Sequence, residues 1–326
     1  MIKTLEIKNF KSIKHLKLDC KRINILIGEP NTGKSNILEA LGVFSYGAFY
    51  NYGSFKQFVR FERMSNLFYD EILDESIEIV CDDFDFTLDF REGTFKGIVN
   101  KKGSGGVELG GSYTDFRVSA HMGRGQEEMS PFKSYKFVVQ SEFPRLESDF
   151  LLPPSGTNLM SLILAHKELR LLANKIFSRF GLELNLRPQE YKIEVIKRFE
   201  GITVSYPYSL ISDTLQRTIF HLFAVITNKD SVLVFEEPES HAFPYYTKYF
   251  AEIVALDNKN NQFFISTHNP YLLLPILEKA PKEDIAVFIT DFKDYQTKVK
   301  PLSSEELAEI TEIDVFSNLD RFLEAK

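Results

Sequence analysis

Tryptophan is absent from this 326-residue chain, and cysteine occurs only twice, as Cys20 and Cys81. Two thiols so far apart in the sequence make neither a disulfide framework nor a zinc cluster. This cysteine usage is typical of a cytoplasmic protein. Because the chain has 30 phenylalanines and no tryptophan, we expect phenylalanine to supply much of the aromatic core.

Long apolar runs and an excess of positive charge are also missing. No run approaches the ~18 residues that a membrane-spanning helix needs, and the opening residues read as a strand rather than a signal peptide. The net charge is -7, so no global basic field points to nucleic acid. Lysines in the N-terminal hairpin and basic residues near 167–179 leave a local DNA contact open.

The most informative segment is residues 28–35, Gly-Glu-Pro-Asn-Thr-Gly-Lys-Ser, which matches the phosphate-binding pattern G-x-x-x-x-G-K-[ST]. An apolar strand-type run precedes it, and Ile37, Leu38 and Leu41 follow at helical spacing on one face. Backbone N–H groups of such a loop surround the β-phosphate, and the helix N-terminus adds positive dipole. Lys34 is expected to reach the β- and γ-phosphates and Ser35 to hold Mg²⁺. The alternative, an accidental glycine turn, does not explain the strand–loop–helix context.

Two acidic residues, Glu236 and Glu237, follow the apolar segment 231–235. In a P-loop enzyme the first acid at this strand end supports Mg²⁺, usually through water. The second can orient and deprotonate the attacking water. We therefore predict a metal role for Glu236 and a general-base role for Glu237, against the alternative of a solvated acidic turn.

Polar residues at two further places are candidates for phosphate contacts. His268 follows the apolar segment 262–266 and could hydrogen-bond the γ-phosphate or the attacking water, although a lone histidine at a strand end is usually structural. Ser212 precedes an apolar helix, with Asp213 in its first turn. It is either a simple helix N-cap or the start of a second phosphate-binding helix, offered to a nucleotide held by another subunit.

The hydrophobic periodicity predicts an α/β protein. Early strands and an antiparallel meander over 76–95 precede a middle helix at about 157–180, and strand–helix alternation after residue 212 indicates a parallel core sheet. Segment 46–75 is hard to assign, and glycine-rich 101–134 reads as loops between short strands. The other predicted strands are 2–8, 13–20, 23–27, 135–140, 182–186, 190–198, 202–206, 231–235, 262–266 and 285–289. The other predicted helices run from the P-loop to about 45 and over about 212–227, 243–256, 270–278 and 303–310.

The order of these motifs resembles the ABC-type ATPases of the SMC/RecF class, and most closely the stand-alone ATPases related to the OLD family. The resemblance implies one P-loop ATPase domain with a mostly parallel core sheet, an antiparallel β subdomain and a small helical lobe. It places lobe I at about 1–150 and 228–326 and the helical, signature-bearing lobe at about 151–227.

The resemblance also assigns roles to individual residues. Lys34, Glu237 and His268 would be catalytic, and Ser35 and Glu236 would bind the metal. Gln140 is the candidate for the Q-loop glutamine at the metal, with Gln57 a weaker one. Nucleotide ligands would be Lys11, Gly28, Asn31, Thr32, Gly33, Lys34, Ser35 and Asn36, with Ser212 acting in trans. Two departures are Glu236, in place of the usual aspartate, and Thr214, in place of the signature glycine.

The implied activity is hydrolysis of ATP, with Mg²⁺, by a homodimer that holds two nucleotides between each P-loop and the partner's Ser212 loop. The cycle would gate a DNA transaction or an effector such as a nuclease or toxin, as in phage defence or repair. The chain shows no heptads for coiled-coil arms and too few residues after His268 for a nuclease domain, so an effector is expected on another chain. The alternatives are a nucleotide-binding switch with little or no hydrolysis and, less well supported, the ATP-binding subunit of a membrane transporter.

Overall fold

A computed structural model describes residues 1–114, 116–310 and 312–324, and within them the strands form three sheets. The strands are β1 Thr4–Phe10, β2 Ile13–Asp19, β3 Ile23–Gly28, β4 Ile77–Cys81, β5 Phe84–Arg91, β6 Thr94–Lys101, β7 Gly105–Gly111, β8 Phe116–Gly123, β9 Phe132–Tyr135, β10 Glu183–Arg187, β11 Lys192–Phe199, β12 Ile202–Pro207, β13 Val232–Glu236, β14 Gln262–Ser266, β15 Ile285–Lys293 and β16 Gln296–Pro301. The helices are α1 Lys34–Phe49, α2 Phe55–Phe58, α3 Gly125–Glu128, α4 Leu159–Ala165, α5 Lys167–Ser178, α6 Asp213–Ile226, α7 Pro244–Ala255, α8 Pro270–Lys279, α9 Ser304–Ile310 and α10 Leu319–Glu324.

The core sheet has the order β16-β15-β3-β14-β13-β9. Its strands are parallel except for β16, which pairs antiparallel with β15. All residues of β3 and β14 are buried, as expected for parallel strands that are covered on both faces. The predicted α/β fold with a mostly parallel core is therefore confirmed.

A second sheet, ordered β2-β1-β4-β5-β6-β7-β8, is antiparallel throughout. Helix α1 packs between this sheet and the core sheet. One hydrophobic cluster joins Ile37 of α1 to Ile79 and Phe86 of the antiparallel sheet and to Val234 of the core sheet. Leu38, Leu41 and most other α1 residues are also buried, so this helix buries nearly its whole surface. The single apolar face predicted from the sequence understates that burial.

The segment from α4 to α6 carries helices and the small antiparallel sheet β10-β11-β12. The predicted middle helix is interrupted at His166, whose extended backbone (φ -111°, ψ 115°) ends α4 and begins α5. Segment 46–75, unassigned from the sequence, contains α2 and short 3-10 turns. A hydrophobic cluster continues from Ile25 of the core sheet to Phe177 and Phe223 of this segment.

Two segments differ from the sequence-based expectation in detail. The strand predicted at 135–140 lies earlier, as β9 Phe132–Tyr135, because pairing with β13 is confined to those residues. The glycine-rich region predicted as loops between short strands contains β7 and β8, which pair along most of their length. No helix within the described residues is both long and apolar enough to cross a bilayer.

Candidate nucleotide-binding site

The P-loop connects β3 to α1, and its two glycines occupy positions that a side chain would disrupt. Gly28 has φ 147°, and a Cβ there would lie 2.4 Å from the carbonyl oxygen of Thr290. Gly33 has φ 100°, and a Cβ there would lie 2.0 Å from Thr297 Oγ1. Both contacts arise because the β15–β16 hairpin packs directly behind the loop. The hairpin therefore fixes the loop's conformation as well as completing the sheet.

The ammonium of Lys34 lies across this loop. Its Nζ donates to the carbonyl oxygens of Gly28 and Glu29 at 2.8 and 2.7 Å. Burial lowers the pKa of Lys34, and the nearby carboxylates of Glu237 and Glu236 oppose that shift. Phosphate oxygens are charged acceptors and would bind the same donor more strongly than neutral carbonyls.

The other predicted loop ligands divide by position. Asn31, Gly33 and Asn36 line the cavity described below. Thr32 turns away, with Oγ1 2.6 Å from Thr290 Oγ1. The Asn36 amide donates to Ser12 Oγ at 2.7 Å, so this predicted ligand is already part of a hydrogen bond. Gly28 does not line the cavity, but its carbonyl oxygen accepts from Lys34.

Two oxygen donors for a metal meet at the start of α1. The Ser35 hydroxyl donates to Glu236 Oε1, and Arg60 Nη2 lies 3.1 Å from the same oxygen. Mg²⁺ prefers such hard oxygens and usually takes its remaining ligands from water and substrate phosphates. In the described part of the chain, no cluster of three or more His, Cys, Asp or Glu side chains offers an all-protein site. The pair therefore fits a magnesium ion that arrives with a nucleotide.

Glu237 and His268 form a carboxylate–imidazole pair beside this site. His268 Nε2 lies 2.9 Å from Glu237 Oε1, and both side chains are partly exposed. Glu237 has a positive φ of 42°, an uncommon conformation for a residue with a side chain. Its N–H donates to the carbonyl oxygen of Ser266 at 3.1 Å. This backbone position brings Glu237 into the lining of the cavity described below.

One cavity of about 740 Å³ unites these groups. Its lining includes Lys34, Ser35, Glu236, Glu237 and His268. Those residues come from the ends of three core strands that are distant in the sequence. The predicted catalytic and metal residues other than Gln140 therefore converge on a single space.

Gln140 does not reach this cavity. Its side-chain amide donates to the carbonyl oxygen of Ser155, and it lines a separate small cavity with Phe143 and Phe220. Gln57 does line the main cavity, although its Oε1 accepts from the N–H of Ser54 at 2.7 Å. The structure therefore brings the weaker of the two glutamine candidates to the site.

Lys11 also lies beside the cavity rather than in its lining. Its Nζ pairs with Glu39 Oε2 and donates to the carbonyl oxygen of Arg60 at 2.6 Å. Burial lowers the pKa of Lys11, and Glu39 opposes this. Arg60 Nε lies 2.5 Å from Glu39 Oε1. Of the two cations that contact Glu39, Arg60 lines the cavity and Lys11 does not.

Arg60, Arg217 and His221 line the cavity but were not identified from the sequence. Arg60 belongs to the unassigned segment and to no motif. Arg217 pairs with Asp213 at 2.6 Å. Its position one turn into α6, directly after the signature-like segment, was the sequence feature that could have identified it as a site residue. His221 is buried, which lowers its pKa to about 3, so it is a neutral group in the cavity wall.

Ser212 lies outside the cavity of its own chain. It lines an apolar groove with Leu210 and Phe243, and its hydroxyl makes no capping hydrogen bond within the described residues. Thr214 Oγ1 donates to the carbonyl oxygen of His241 at 2.7 Å. Within one subunit, Ser212 therefore does not line the P-loop cavity. Its role in trans stays a prediction.

Two family models match this chain. Residues 1–143 match the family described as "AAA ATPase domain". Residues 119–274 match the family described as "AAA domain, putative AbiEii toxin, Type IV TA system". The two matches overlap and together include the P-loop, Glu236, Glu237 and His268.

Curated relatives match over short stretches. An uncharacterized protein of Methanocaldococcus jannaschii is 53% identical over 45 residues, 14% of this chain and 20% of that protein. An ATP/GTP phosphatase of Helicobacter pylori is 52% identical over 42 residues, 13% of this chain and 11% of that protein. The matched parts thus span no more than a fifth of these relatives.

Solved structures share the fold over nearly the whole chain. An SMC head bound to the C-terminal winged-helix domain of ScpA has a TM-score of 0.57 at 15% identity, covering 95% of this chain and 99% of that one. An SMC head with an extended coiled coil, bound to the C-terminal domain of ScpA from Pyrococcus furiosus, has a TM-score of 0.55 at 14% identity, with coverage of 95% and 98%. The chain therefore has the fold of an SMC head, and its two overlapping parts are similar to AAA ATPase domains.

Proposed function

We propose that this protein binds ATP with Mg²⁺, hydrolyses it to ADP and phosphate, and uses the nucleotide to join two copies of the chain. The observation that carries this proposal is the convergence of Lys34, the Ser35–Glu236 pair and the Glu237–His268 pair on one cavity. Each group has a role in phosphoryl transfer to water.

The roles follow from the positions of the side chains. Lys34 and the loop N–H groups bind the β- and γ-phosphates. Ser35 and Glu236 would hold Mg²⁺, which neutralises phosphate charge when bound. Glu237 accepts a proton from the water whose oxygen attacks the γ-phosphorus, and His268 hydrogen-bonds and orients that carboxylate. The bond from the γ-phosphorus to the bridging oxygen breaks, and ADP leaves.

The dimer is proposed from what a single subunit lacks. Ser212 does not line the cavity of its own P-loop and lines a separate apolar groove instead. A second copy that supplied Ser212 would add contacts to the γ-phosphate that disappear after hydrolysis. Nucleotide state would then control the association of the subunits.

The biological output is proposed as control of a partner effector in defence. The AbiEii description of the second family match supports this choice, and the two SMC heads above are each bound to a partner protein. A direct DNA contact at the N-terminal hairpin has less support. Lys8 pairs with Glu78 at 2.8 Å and His15 with Glu6 at 2.9 Å, so acids offset part of that basic face.

A nucleotide-binding switch with little hydrolysis is the second candidate. Thr214 favours the switch, because a side chain at the signature-glycine position crowds a backbone that must approach phosphate. The Thr214 hydroxyl is also bonded to the carbonyl oxygen of His241. Arg60 also favours it, because this cation already occupies the Glu236 carboxylate.

Both candidates require ATP binding at the P-loop, which a substitution of Lys34 tests. Lys34→Ala should lose about 3 kcal/mol of ATP-binding free energy, roughly 100-fold in affinity, because the phosphates lose their main point charge. Calorimetry measures this against Lys248→Ala, an exposed lysine of α7. ATP affinity equal in both variants would contradict the P-loop assignment.

Glu237→Gln should bind ATP, stop phosphate release and accumulate a dimer, because the amide accepts no proton from water. Light scattering with ATP and a phosphate-release assay measure both effects, with exposed Glu278→Gln of α8 as the control. Wild-type turnover at background levels, with ATP-dependent dimers still formed, would favour the switch. Normal turnover by Glu237→Gln would place the base elsewhere.

A further inference from the structure

Glu239 lies in the turn after β13, two residues beyond Glu237, and is only 8% exposed. Its Oε1 accepts the Thr267 hydroxyl at 2.5 Å and the backbone N–H of His268 at 3.1 Å. The turn itself is closed by the N–H of Ser240, which donates to the carbonyl oxygen of Glu237 at 2.9 Å. Glu239 therefore links the turn that carries the base to the strand end that carries its histidine.

The second carboxylate oxygen of Glu239 faces a small internal cavity. Glu239 Oε2 and Thr247 Oγ1 are both buried, and among the described residues neither has a hydrogen-bond partner. Both residues line the same cavity of about 10 Å³, together with His221. That volume is close to what one water molecule needs, and a water would supply the missing hydrogen bonds.

A buried carboxylate is a costly way to hold two backbone segments together. Burial raises the pKa of Glu239, and its hydrogen bonds to Thr267 and His268 oppose the rise. An apolar side chain of the same shape would avoid the desolvation cost. The carboxylate instead closes a short ring: Glu237, Pro238, Glu239, the His268 backbone, the His268 ring, and back to Glu237 at 2.9 Å.

We propose that Glu239 is a positioning residue that sets the contact between Glu237 and His268, with one buried water bridging Glu239 Oε2 to the Thr247 hydroxyl. The catalytic consequence rests on the proposed hydrolysis, whereas the positional consequence does not. Small displacements of a catalytic group lower the rate of the chemical step while leaving substrate binding in place. The effect should therefore fall on kcat and not on KM.

The test compares three variants of the full chain. Glu239→Gln keeps a carbonyl oxygen for Thr267 and His268 and gains an amide that can donate into the cavity, so it should retain most of the wild-type kcat. Glu239→Ala removes the acceptor and should lower kcat about tenfold or more with KM within about twofold. Exposed Glu278→Ala is the matched control and should equal wild type.

The ring signals of His268 provide a second readout that needs no turnover. In protein labelled with ¹³C-histidine, His268→Ala assigns them, and they should move in Glu239→Ala but stay in place in Glu239→Gln. Unmoved signals in Glu239→Ala, or equal damage by the glutamine and alanine variants, would overturn the proposal. If wild type shows no ATP turnover, the proposed hydrolysis fails, and the ring signals alone still decide the positional role.

Should Glu239→Ala fail to fold, Thr267 offers the same test from the other side. Thr267→Val removes the hydroxyl that donates to Oε1 and leaves the carboxylate in place, while Thr267→Ser restores the donor. The serine variant should keep the His268 signals and the valine variant should shift them. A valine variant with wild-type signals and kcat would contradict the role of this contact.

Discussion

The rigidity of the P-loop can be tested at Gly33, where backbone conformation and packing can be separated. Gly33 has φ 100°, and a Cβ there would lie 2.0, 2.8 and 2.9 Å from the Oγ1, Cγ2 and Cβ atoms of Thr297. Gly93, in the turn between β5 and β6, has φ 76° and has no described atom within 4 Å of such a Cβ. Gly93→Ala thus reports the cost of positive φ alone, whereas Gly33→Ala adds a steric overlap.

The magnitudes follow from these contacts. A left-handed backbone costs a residue with a Cβ about 1–2 kcal/mol, so Gly93→Ala should lower the free energy of unfolding by about that amount. Overpacking adds typically 1–3 kcal/mol, so Gly33→Ala should cost about 2–5 kcal/mol. It should also weaken ATP binding, because relief of the overlap shifts the loop out of the conformation in which its N–H groups can surround the phosphates. Thr297→Ala removes the two offending terminal atoms and should restore part of the loss when combined with Gly33→Ala.

Urea unfolding followed by circular dichroism measures the stabilities, and calorimetric titration with Mg–ATP measures the affinities. Thr297→Ala alone is the required control, because Thr297 Oγ1 also lies 2.7 Å from Ser12 Oγ. The reasoning is refuted if Gly33→Ala is no more costly than Gly93→Ala and binds ATP normally. The same holds if the double variant is as unstable as the sum of the two single changes.

Two further predictions concern Lys133 and Thr214. Burial lowers the pKa of Lys133 from 10.5 to about 8. Between these two pH values the unfolded chain binds more protons than the folded chain, so the free energy of unfolding should rise with pH, by up to about 3 kcal/mol. Urea unfolding of wild type relative to Lys133→Met should show this rise, and parallel pH profiles of the two proteins would contradict it. If the Thr214 side chain crowds the partner's phosphate, Thr214→Gly should strengthen ATP-dependent dimers, measured by light scattering. Thr214→Ser keeps both a Cβ and the hydroxyl bonded to His241, so it should match wild type. Weaker dimers in the glycine variant would count against the trans role of the Ser212 loop.

Much of the core could be predicted because the motifs lie at strand ends. Strands β13 and β14 are buried apolar runs that end in polar residues, and both properties are visible in the sequence. Parallel pairing then places Glu236 opposite Ser266 and Ser266 opposite Leu26. Since the carboxyl ends of parallel strands share one edge, Glu237 and His268 were expected near the P-loop.

Elements whose conformation depends on tertiary contacts were not predicted. Arg60 reaches Glu236 only because Glu39 and the Lys11 contact hold its loop over α1. Strand β7 contains Gly105, Gly106, Gly110 and Gly111, which have low strand propensity. Yet a Cβ at Gly106 would lie 2.5 Å from the carbonyl oxygen of Val99. At this position the glycine permits a close contact between strands. The glycine-rich composition alone predicts a loop instead.

The hydrogen bonds around the turn after β13 make a physical link between α6 and the Glu237–His268 pair. Thr214, at the start of α6, donates to the carbonyl oxygen of His241, and the preceding turn is closed between Ser240 and Glu237. Glu239 fastens that same turn to His268. In the proposed dimer, a partner nucleotide that draws the Ser212 loop toward itself would break the Thr214 bond or carry the turn with it. In the second case the turn that carries Glu237 would move, which would couple closure of the proposed dimer to the proposed catalytic base.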